Sequence, residues 1–514
     1  MTALRLVARA LLALWRVGLV RVSPFMAWRI YLAWRRCRGT MAFLAEVAAL
    51  RFGSRQALVD DDGAVTFAAL RASYEALARR LVRQLGAGPG RKVVILGRNH
   101  RSLVVGLLAA ARSGADVLLL DPDSPPGALA NALVGQNADI ILHAPELDVA
   151  VFASDARRIA LTADASDGFA NEPLPRVGHA GRLLVLTSGS TGTPKSIGRK
   201  PSIPQLLPVL LGLFDALPIV LHRPTLLAVP LFHGHGLATL ATALACAAPL
   251  HLGRRYEIAP LLSRASIEQA PIVVSVPTLL FRWLAAGPVT TGVAAVVSGS
   301  APLDAQLCRR VLDGVGPVLY NLYGSTEAGV VSLATPAMLR AAPGTVGQPL
   351  PGNEVRLLDG NGQLAPPGQI GRIHARGPLV VRGDAEGWLD TGDLGRWDEA
   401  GCLHVCGRAD GMFVSGGENV YPQEVEGCLR DHPAVAEAAI AVVPDAEFGQ
   451  RMRAFVVVRK GDVLPPEDLR AWLRERLDRC KLPRSIELVA ALPRNALGKI
   501  DRPALQRILE RAQT

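Results

Sequence analysis

The sequence predicts an α/β protein with a large N-terminal domain built on mostly parallel sheet and a small α+β domain at its end. Three observations predict this. Between Ala64 and about residue 344, short apolar runs alternate with helical segments. Strands separated by helices imply right-handed crossovers and parallel pairing. Beyond Gly344, glycine and proline become frequent and strand candidates shorten, as in an antiparallel barrel or small sheet. A last helix-and-strand unit begins near Arg408. At 514 residues, half of them hydrophobic, the chain is too long for one core and too apolar for disorder.

The elements follow in order. Residues 67–85 (FAALRASYEALARRLVRQL) show helical periodicity and stop before Gly86 and Gly88. Lys92–Leu96 reads as a buried strand, Ser102–Arg112 as a helix and Asp116–Leu120 as the next strand. Leu183–Leu186, Leu226–Val229, Ile272–Val276, Ala294–Val297 and Val318–Asn321 continue the strand series. Glu354–Leu358 and Gly371–Ala375 are the short strands of the glycine-rich part. The last unit holds Gln423–Arg430, Ala454–Val458 and a helix over Pro466–Arg479. Pro465, Pro466, Glu467 and Asp468 suit that helix start, because carboxylates favour a helix N-terminus.

Charge is unevenly placed. The formal net charge is +11, and eight arginines (Arg5, Arg9, Arg16, Arg21, Arg29, Arg35, Arg36, Arg38) precede the first acid, Glu46. Removing them leaves 11 − 8 = +3, so the body is nearly balanced and is no nucleic-acid binder. Seven scattered cysteines, an odd number, imply no disulfide framework and a reducing cytoplasm.

The basic arm, residues 1–38, is apolar between its arginines. Its uncharged stretches are too short for a membrane span or a secretory signal. Arg5, Arg9 and Arg16 share one helical stripe, although Leu12 interrupts it. Trp15, Trp28, Tyr31 and Trp34 suit a lipid headgroup layer. Two readings stay open: an arm lying peripherally in the inner membrane face, or a helix packed on the body with its arginines solvated.

The strongest local signal is Thr187-Ser188-Gly189-Ser190-Thr191-Gly192-Thr193-Pro194-Lys195, which follows a strand. Glycines let the backbone fold tightly and present N–H groups, while hydroxyls and Lys195 complete a polyphosphate cradle. It is no Walker A loop, since Thr193-Pro194 separate Gly192 from Lys195. Two further glycine turns end strands, Ser298-Gly299-Ser300-Ala301 and Tyr323-Gly324-Ser325-Thr326-Glu327. Then come Trp388-Leu389-Asp390-Thr391-Gly392-Asp393, Gly407-Arg408-Ala409-Asp410, Ser415-Gly416-Gly417-Glu418 and Pro493 to Arg502 around Gly498-Lys499. Cys402, His404 and Cys406 do not have zinc spacing.

In this order and spacing the set resembles the adenylate-forming superfamily: acyl-CoA synthetases, luciferases and peptide-synthetase adenylation domains. The resemblance runs from about residue 40 to the end. It implies two doubly wound sheets plus a small β-barrel in an adenylation domain over 39–409. It implies a mobile C-terminal domain over 410–514, with Asp410 as hinge. In such enzymes a carboxylate attacks the α-phosphate of MgATP, pyrophosphate leaves, and a thiol then captures the acyl group.

The resemblance assigns roles residue by residue. Lys195 and the loop Thr187, Ser188, Gly189, Ser190, Thr191 and Gly192 would hold the outer phosphates. Thr326 would bind the α-phosphate and Glu327 would ligate Mg²⁺. Tyr323, beside Gly324, would stack on adenine, and Ser298, Gly299, Ser300 and Ala301 would line its pocket. Asp393 and Arg408 would reach the ribose. Lys499 would swing in to neutralise charge at the α-phosphate and carboxylate. Phe232 and His233 would flank the acyl carboxylate, whereas His235 gets no role. Gly416 and Gly417 would line the thiol tunnel. Ser196 replaces a usual glycine, and Gly198-Arg199-Lys200 departs from the common pattern in a way associated with bacterial long-chain acyl-CoA synthetases.

The expected activity is ATP-dependent conversion of a medium- or long-chain fatty acid to its acyl-CoA at the cytoplasmic membrane face. ATP, Mg²⁺ and CoA are the implied cofactor and co-substrates. The alternatives are loading of an acyl or aryl acid onto an acyl carrier protein, and a catalytically silent membrane-associated homologue.

Overall fold

The structure is a computed structural model. It describes residues 23–511 except 124–128, 131–132, 134, 148–155, 162–171, 188–194, 200–202, 266–268, 288–291, 382, 410, 412, 416–417, 446–448, 478–480 and 496–498.

Two large sheets form the body. In the first, Gln56–Asp60, Leu250–Leu252, Thr225–Leu227, Ile272–Ser275, Ala295–Gly299 and Leu319–Ser325 run parallel in that spatial order. Antiparallel strands, Gly63–Thr66 on one side and Gly329–Ala334 with Gln348–Pro349 on the other, finish its edges. In the second, Arg157–Ala160, Ile140–His143, Lys92–Leu96, Asp116–Leu120 and Leu183–Thr187 run parallel, with Lys195–Arg199 antiparallel at the edge. Both doubly wound sheets are therefore present.

The strands are apolar on both faces because both faces are covered. Val93 and Ile95 join the core between the sheets, which also holds Leu58, Val274 and Val297. Their neighbours Val94 and Leu96 face the opposite layer. Helices Met41–Phe52, Phe67–Leu85, Arg101–Ser113 and Gly234–Ala245 fill the space between the sheets. Helices Ile258–Arg264, Pro277–Ala285 and Ala305–Gly314 cover the outer face of the first sheet.

The expected barrel is instead an open antiparallel sheet of Glu354–Leu358, Gly371–Arg376, Leu389–Trp397 and Leu403–Arg408. Its two outer strands, Glu354–Leu358 and Leu403–Arg408, do not pair with each other, so the sheet keeps two edges. The edge strand ties back to the body: the Leu403 carbonyl accepts from Val346 N at 2.9 Å and Thr345 Oγ1 at 2.8 Å.

The C-terminal unit is a hairpin of Val435–Asp445 and Gly449–Val458 with Ser485–Leu488 added in parallel. Helices Pro422–Arg430 and Pro466–Arg474 pack on one face, and Leu505 of Arg502–Arg511 packs on the other. The second of these helices ends at Arg474, short of the expected Arg479.

Of the basic arm, residues 1–22 lie outside the described residues. The remainder forms a helix, Pro24–Cys37, capped by the Ser23 hydroxyl and closed by Arg38 in the left-handed conformation. Its Ala33 and Cys37 are buried, and Arg36 pairs with the buried Glu46 at 2.8 Å. This part of the arm is thus packed on the body along one face. Among the described residues no helix is long and apolar enough to cross a membrane.

Candidate active site

A continuous cavity of about 2660 Å³ opens at the carboxyl ends of Ala295–Gly299 and Leu319–Ser325, where α/β sheets place ligands. Its polar end is made by turns that follow these strands. Ser298 is fully buried and its hydroxyl has no partner among the described residues. Ser300 takes a left-handed conformation (φ 64°), and its carbonyl accepts from Lys499 Nζ at 3.0 Å. Ala301 continues the lining.

Three motifs distant in sequence meet in one hydrogen-bond network. Tyr323 Oη donates to Asp393 Oδ2 at 2.7 Å and to Thr391 Oγ1 at 3.2 Å. Arg408 Nη1 donates to Asp393 Oδ1 at 3.2 Å and to the Thr391 carbonyl at 3.0 Å. Burial pushes the Asp393 carboxyl above its ordinary range, and the Tyr323 hydroxyl and Arg408 guanidinium pull it back. Burial and the Asp393 charge raise the Tyr323 phenol.

Two glycines in this region have a steric reason. A Cβ on Gly324 would lie 2.0 Å from the Gly329 carbonyl oxygen, where the hairpin turns back. Gly392 holds φ 72°, and a Cβ there would sit 2.7 Å from the Arg408 guanidinium. Thr326 and Glu327 line the cavity next to this network, and the Glu327 carbonyl is tied to Val381 N at 2.8 Å. A carboxylate beside a hydroxyl suits Mg²⁺, which takes few protein oxygens and keeps phosphate and water oxygens.

Lys499 reaches this end from the C-terminal unit. The Asn495 side chain accepts from Lys499 N at 3.0 Å, and Asn495 N donates to the Lys499 carbonyl at 2.8 Å. Arg502, three residues on, is fixed by the buried Glu426 at 2.9 Å and by the Ile440 carbonyl at 3.0 Å. Burial lowers the Lys499 pKa.

Across from Lys499, His233 is the N-cap residue of helix Gly234–Ala245 and lies edge-on to Phe232, with centroids 4.7 Å apart. Burial, then the charges of Lys499 and His235, lower its pKa to about 4. His235, which the sequence left without a role, lies under the Ser300 turn, with Nδ1 3.4 Å from Ser300 Oγ. Burial alone holds it at about 4. Both imidazoles are therefore neutral at physiological pH.

The cavity also runs past helix Gly234–Ala245, where Gly234, Leu237, Ala238, Ala241, Thr242 and Ala245 line it together with His235, Thr239 and Ala243. Leu44, Leu213, Leu217, Trp34 and Arg38 line the same cavity. Sequence reasoning found only Phe232 and His233 here. The alanine spacing was the available signal, and alanine in a helix is ordinarily read as propensity.

Some expected residues lie outside the described residues: Ser188, Gly189, Ser190, Thr191, Gly192, Asp410, Gly416 and Gly417. Thr187 and Lys195 are described as backbone, and they pair across the strands that flank the loop. His404 bonds Asp398 at 2.8 Å. Among the described residues the one cluster with ligand-like spacing is Asp60, Asp62 and His100, where Arg101 already holds Asp60.

A model of the AMP-binding enzyme matches residues 45–383, and one of the AMP-binding enzyme C-terminal domain matches 424–499. The chain belongs to the AMP-binding enzyme family. This AMP-binding enzyme is 33% identical over 461 residues to feruloyl-CoA synthase of Amycolatopsis, covering 85% of this chain and 92% of the relative. It is 36% identical over 226 residues to a long-chain-fatty-acid–CoA ligase of Bacillus subtilis, covering 42% of this chain and 40% of that one. The o-succinylbenzoate coenzyme A synthetase of Bacillus subtilis, solved with ATP and a magnesium ion, superposes with a TM-score of 0.78 at 26% identity. The match covers 90% of this chain and 99% of that one.

Proposed function

We propose that this AMP-binding enzyme is an AMP-forming acid–CoA ligase whose acid is a medium- or long-chain aliphatic one. The carboxylate oxygen attacks the α-phosphorus of ATP and pyrophosphate departs. The CoA sulfur then attacks the acyl-adenylate carbonyl, its proton is released and AMP departs. This reading places the enzyme at a cytoplasmic membrane face, where such acids dissolve.

Each candidate residue has a task in that sequence. Lys499, kept close by the Asn495 turn, donates to the oxygens on which charge builds during attack. Asp393, steadied by Tyr323 and Arg408, accepts from the ribose hydroxyls, and the ring of Tyr323 meets the base. Thr326 holds the α-phosphate. Glu327 would hold Mg²⁺, which neutralises phosphate charge when bound. His233, neutral and at the N-cap position of its helix, orients the acid without attracting a second anion. Lys195 and the loop from Thr187 to Gly192 hold the outer phosphates. Asp410 is the hinge, and Gly416 and Gly417 admit the thiol.

The observation that carries the aliphatic reading is the apolar lining along Gly234–Ala245. A 12-residue helix is about 18 Å long, and small residues (Gly234, Ala238, Ala241, Ala245) alternate along its cavity lining with Leu237 and Thr242. The likeness of 42% of this chain to a Bacillus subtilis long-chain-fatty-acid–CoA ligase supports it. An aryl acid is the second reading, favoured by the feruloyl-CoA synthase likeness. Pyrophosphate release across a panel from octanoate to stearate and ferulate, with and without CoA, separates the two. Aliphatic turnover above ferulate is expected; ferulate alone turning over would overturn the chain-length reading.

A further inference from the structure

Helix Pro24–Cys37 buries one face and leaves the other uncovered among the described residues. Phe25, Trp28, Tyr31 and Trp34 recur every third residue and are 70%, 57%, 45% and 39% exposed. Their rings form a ladder, with centroids 5.5 Å apart from Trp28 to Tyr31 and 6.4 Å from Tyr31 to Trp34. Arg29 lies over Phe25 at 5.8 Å and Arg38 over Trp34 at 5.1 Å. Four large aromatic side chains in an exposed row form a contiguous apolar patch, which in a soluble protein marks an interaction site.

The charge around the row names the occupant. Arg29, Arg35 and Arg38 stand along the helix with the row, and no acid precedes Glu46 in the sequence. A second copy of this chain would bring those arginines against one another, and a neutral partner would leave them without counter-charge. An anionic lipid surface satisfies both features, because tryptophan and tyrosine seat at the headgroup level while arginine pairs with phosphate. The same helix has a second relation to the site: Trp34 and Arg38 line the cavity that Lys499 and His233 also line.

We infer that the aromatic face of Pro24–Cys37 docks in the headgroup layer of an anionic bilayer, and that the acid enters the cavity past Trp34 and Arg38 directly from lipid. The entry route rests on the aliphatic reading of the substrate; the docking does not.

The test uses the full chain and Phe25→Ser/Trp28→Ser/Tyr31→Ser, three residues that do not line the cavity. Co-sedimentation is measured with vesicles of phosphatidylcholine alone and with added phosphatidylglycerol. Turnover is measured on palmitate held in the anionic vesicles and on octanoate in solution. The wild type is expected to pellet with the anionic vesicles only, and the variant to lose that by about tenfold or more. The variant should lose palmitate turnover by about the same factor and keep octanoate turnover. Trp28→Phe/Tyr31→Phe should still pellet, which separates lost apolar contact from lost folding. Equal pelleting of wild type and triple variant would overturn the docking, as would conversion of a dimer to a monomer in the variant without any vesicle effect. Equal loss of palmitate and octanoate turnover would overturn the entry route. Vesicle binding with no turnover of any aliphatic acid would leave the docking standing and refute the substrate reading.

Discussion

At the Lys499 side of the cavity, polar side chains from separate strand-end turns converge on fixed atoms; along helix Gly234–Ala245, small and apolar side chains bound a volume. The first is a network in which Tyr323, Thr391, Asp393 and Arg408 each restrain another. Among the described residues the second shows no such network, and on the proposed reading its residues matter by their size. Chemistry that must discriminate phosphate and ribose needs donors at set distances. A chain of methylenes needs only space and dryness. The difference teaches where substitutions should act: on rate and nucleotide affinity at one end, on chain length at the other.

The largest expected effect is at Lys499. Lys499→Ala should slow acid-dependent pyrophosphate release by about 10²–10³-fold, the range for removing one preorganised donor. Transfer to CoA from ready-made acyl-adenylate should change little. Equal loss in both half-reactions would show that Lys499 serves the fold of the C-terminal unit rather than adenylation.

Next comes Asp393→Asn. Loss of charge-assisted bonds costs about 1.5–3 kcal/mol, so the KM for ATP should rise about tenfold or more. The KM for the acid should stay near its original value. A matching rise in both would erase the contrast between the ends.

Filling the cavity along Gly234–Ala245 should have a graded effect. Ala241→Phe should shift preference toward shorter acids at a constant KM for ATP. Each methylene denied burial costs about 0.8 kcal/mol, roughly fourfold in kcat/KM. An unchanged chain-length profile would mean that the acid does not run along Gly234–Ala245.

The smallest effect spans both ends. His233, His235 and His251 are held near a pKa of about 4 by burial, below the ordinary 6.5. Between these values the unfolded chain binds more protons than the folded one. Stability is therefore intact above about pH 6.5 and falls as pH drops toward about 4. Thermal melts at neutral and acid pH should show that loss, and His235→Asn should lessen it. An identical acid loss in the variant would place the sensitivity elsewhere.

Much of the fold was legible because buried parallel strands and amphipathic helices write their periods plainly. Asp116–Leu120 and Phe67–Leu85 have the expected bounds. The barrel was not legible, because strand closure depends on pairing between segments and not on any one segment's pattern. At the site, the sequence singles out Tyr323, Asp393, Arg408 and Lys499 because each sits in a motif whose residue types fit one chemical task, and the structure brings them to one cavity. It does not single out His235 or the alanines of Gly234–Ala245. Their surroundings come from what stands opposite them: the Ser300 turn in one case and the cavity in the other.

The sequence by itself determined that this is an α/β adenylate-forming chain with its basic charge gathered ahead of a balanced body. Residue type and spacing carry that information, since phosphate needs glycine turns and cations and helices need their periods. Only the tertiary structure decided that residues 23–38 pack on the body while leaving an aromatic row outward, and that Trp34 and Arg38 at the end of that helix line the cavity that Lys499 also lines. Which face of a helix is buried is set by the neighbour it meets, and that neighbour is chosen by the whole fold.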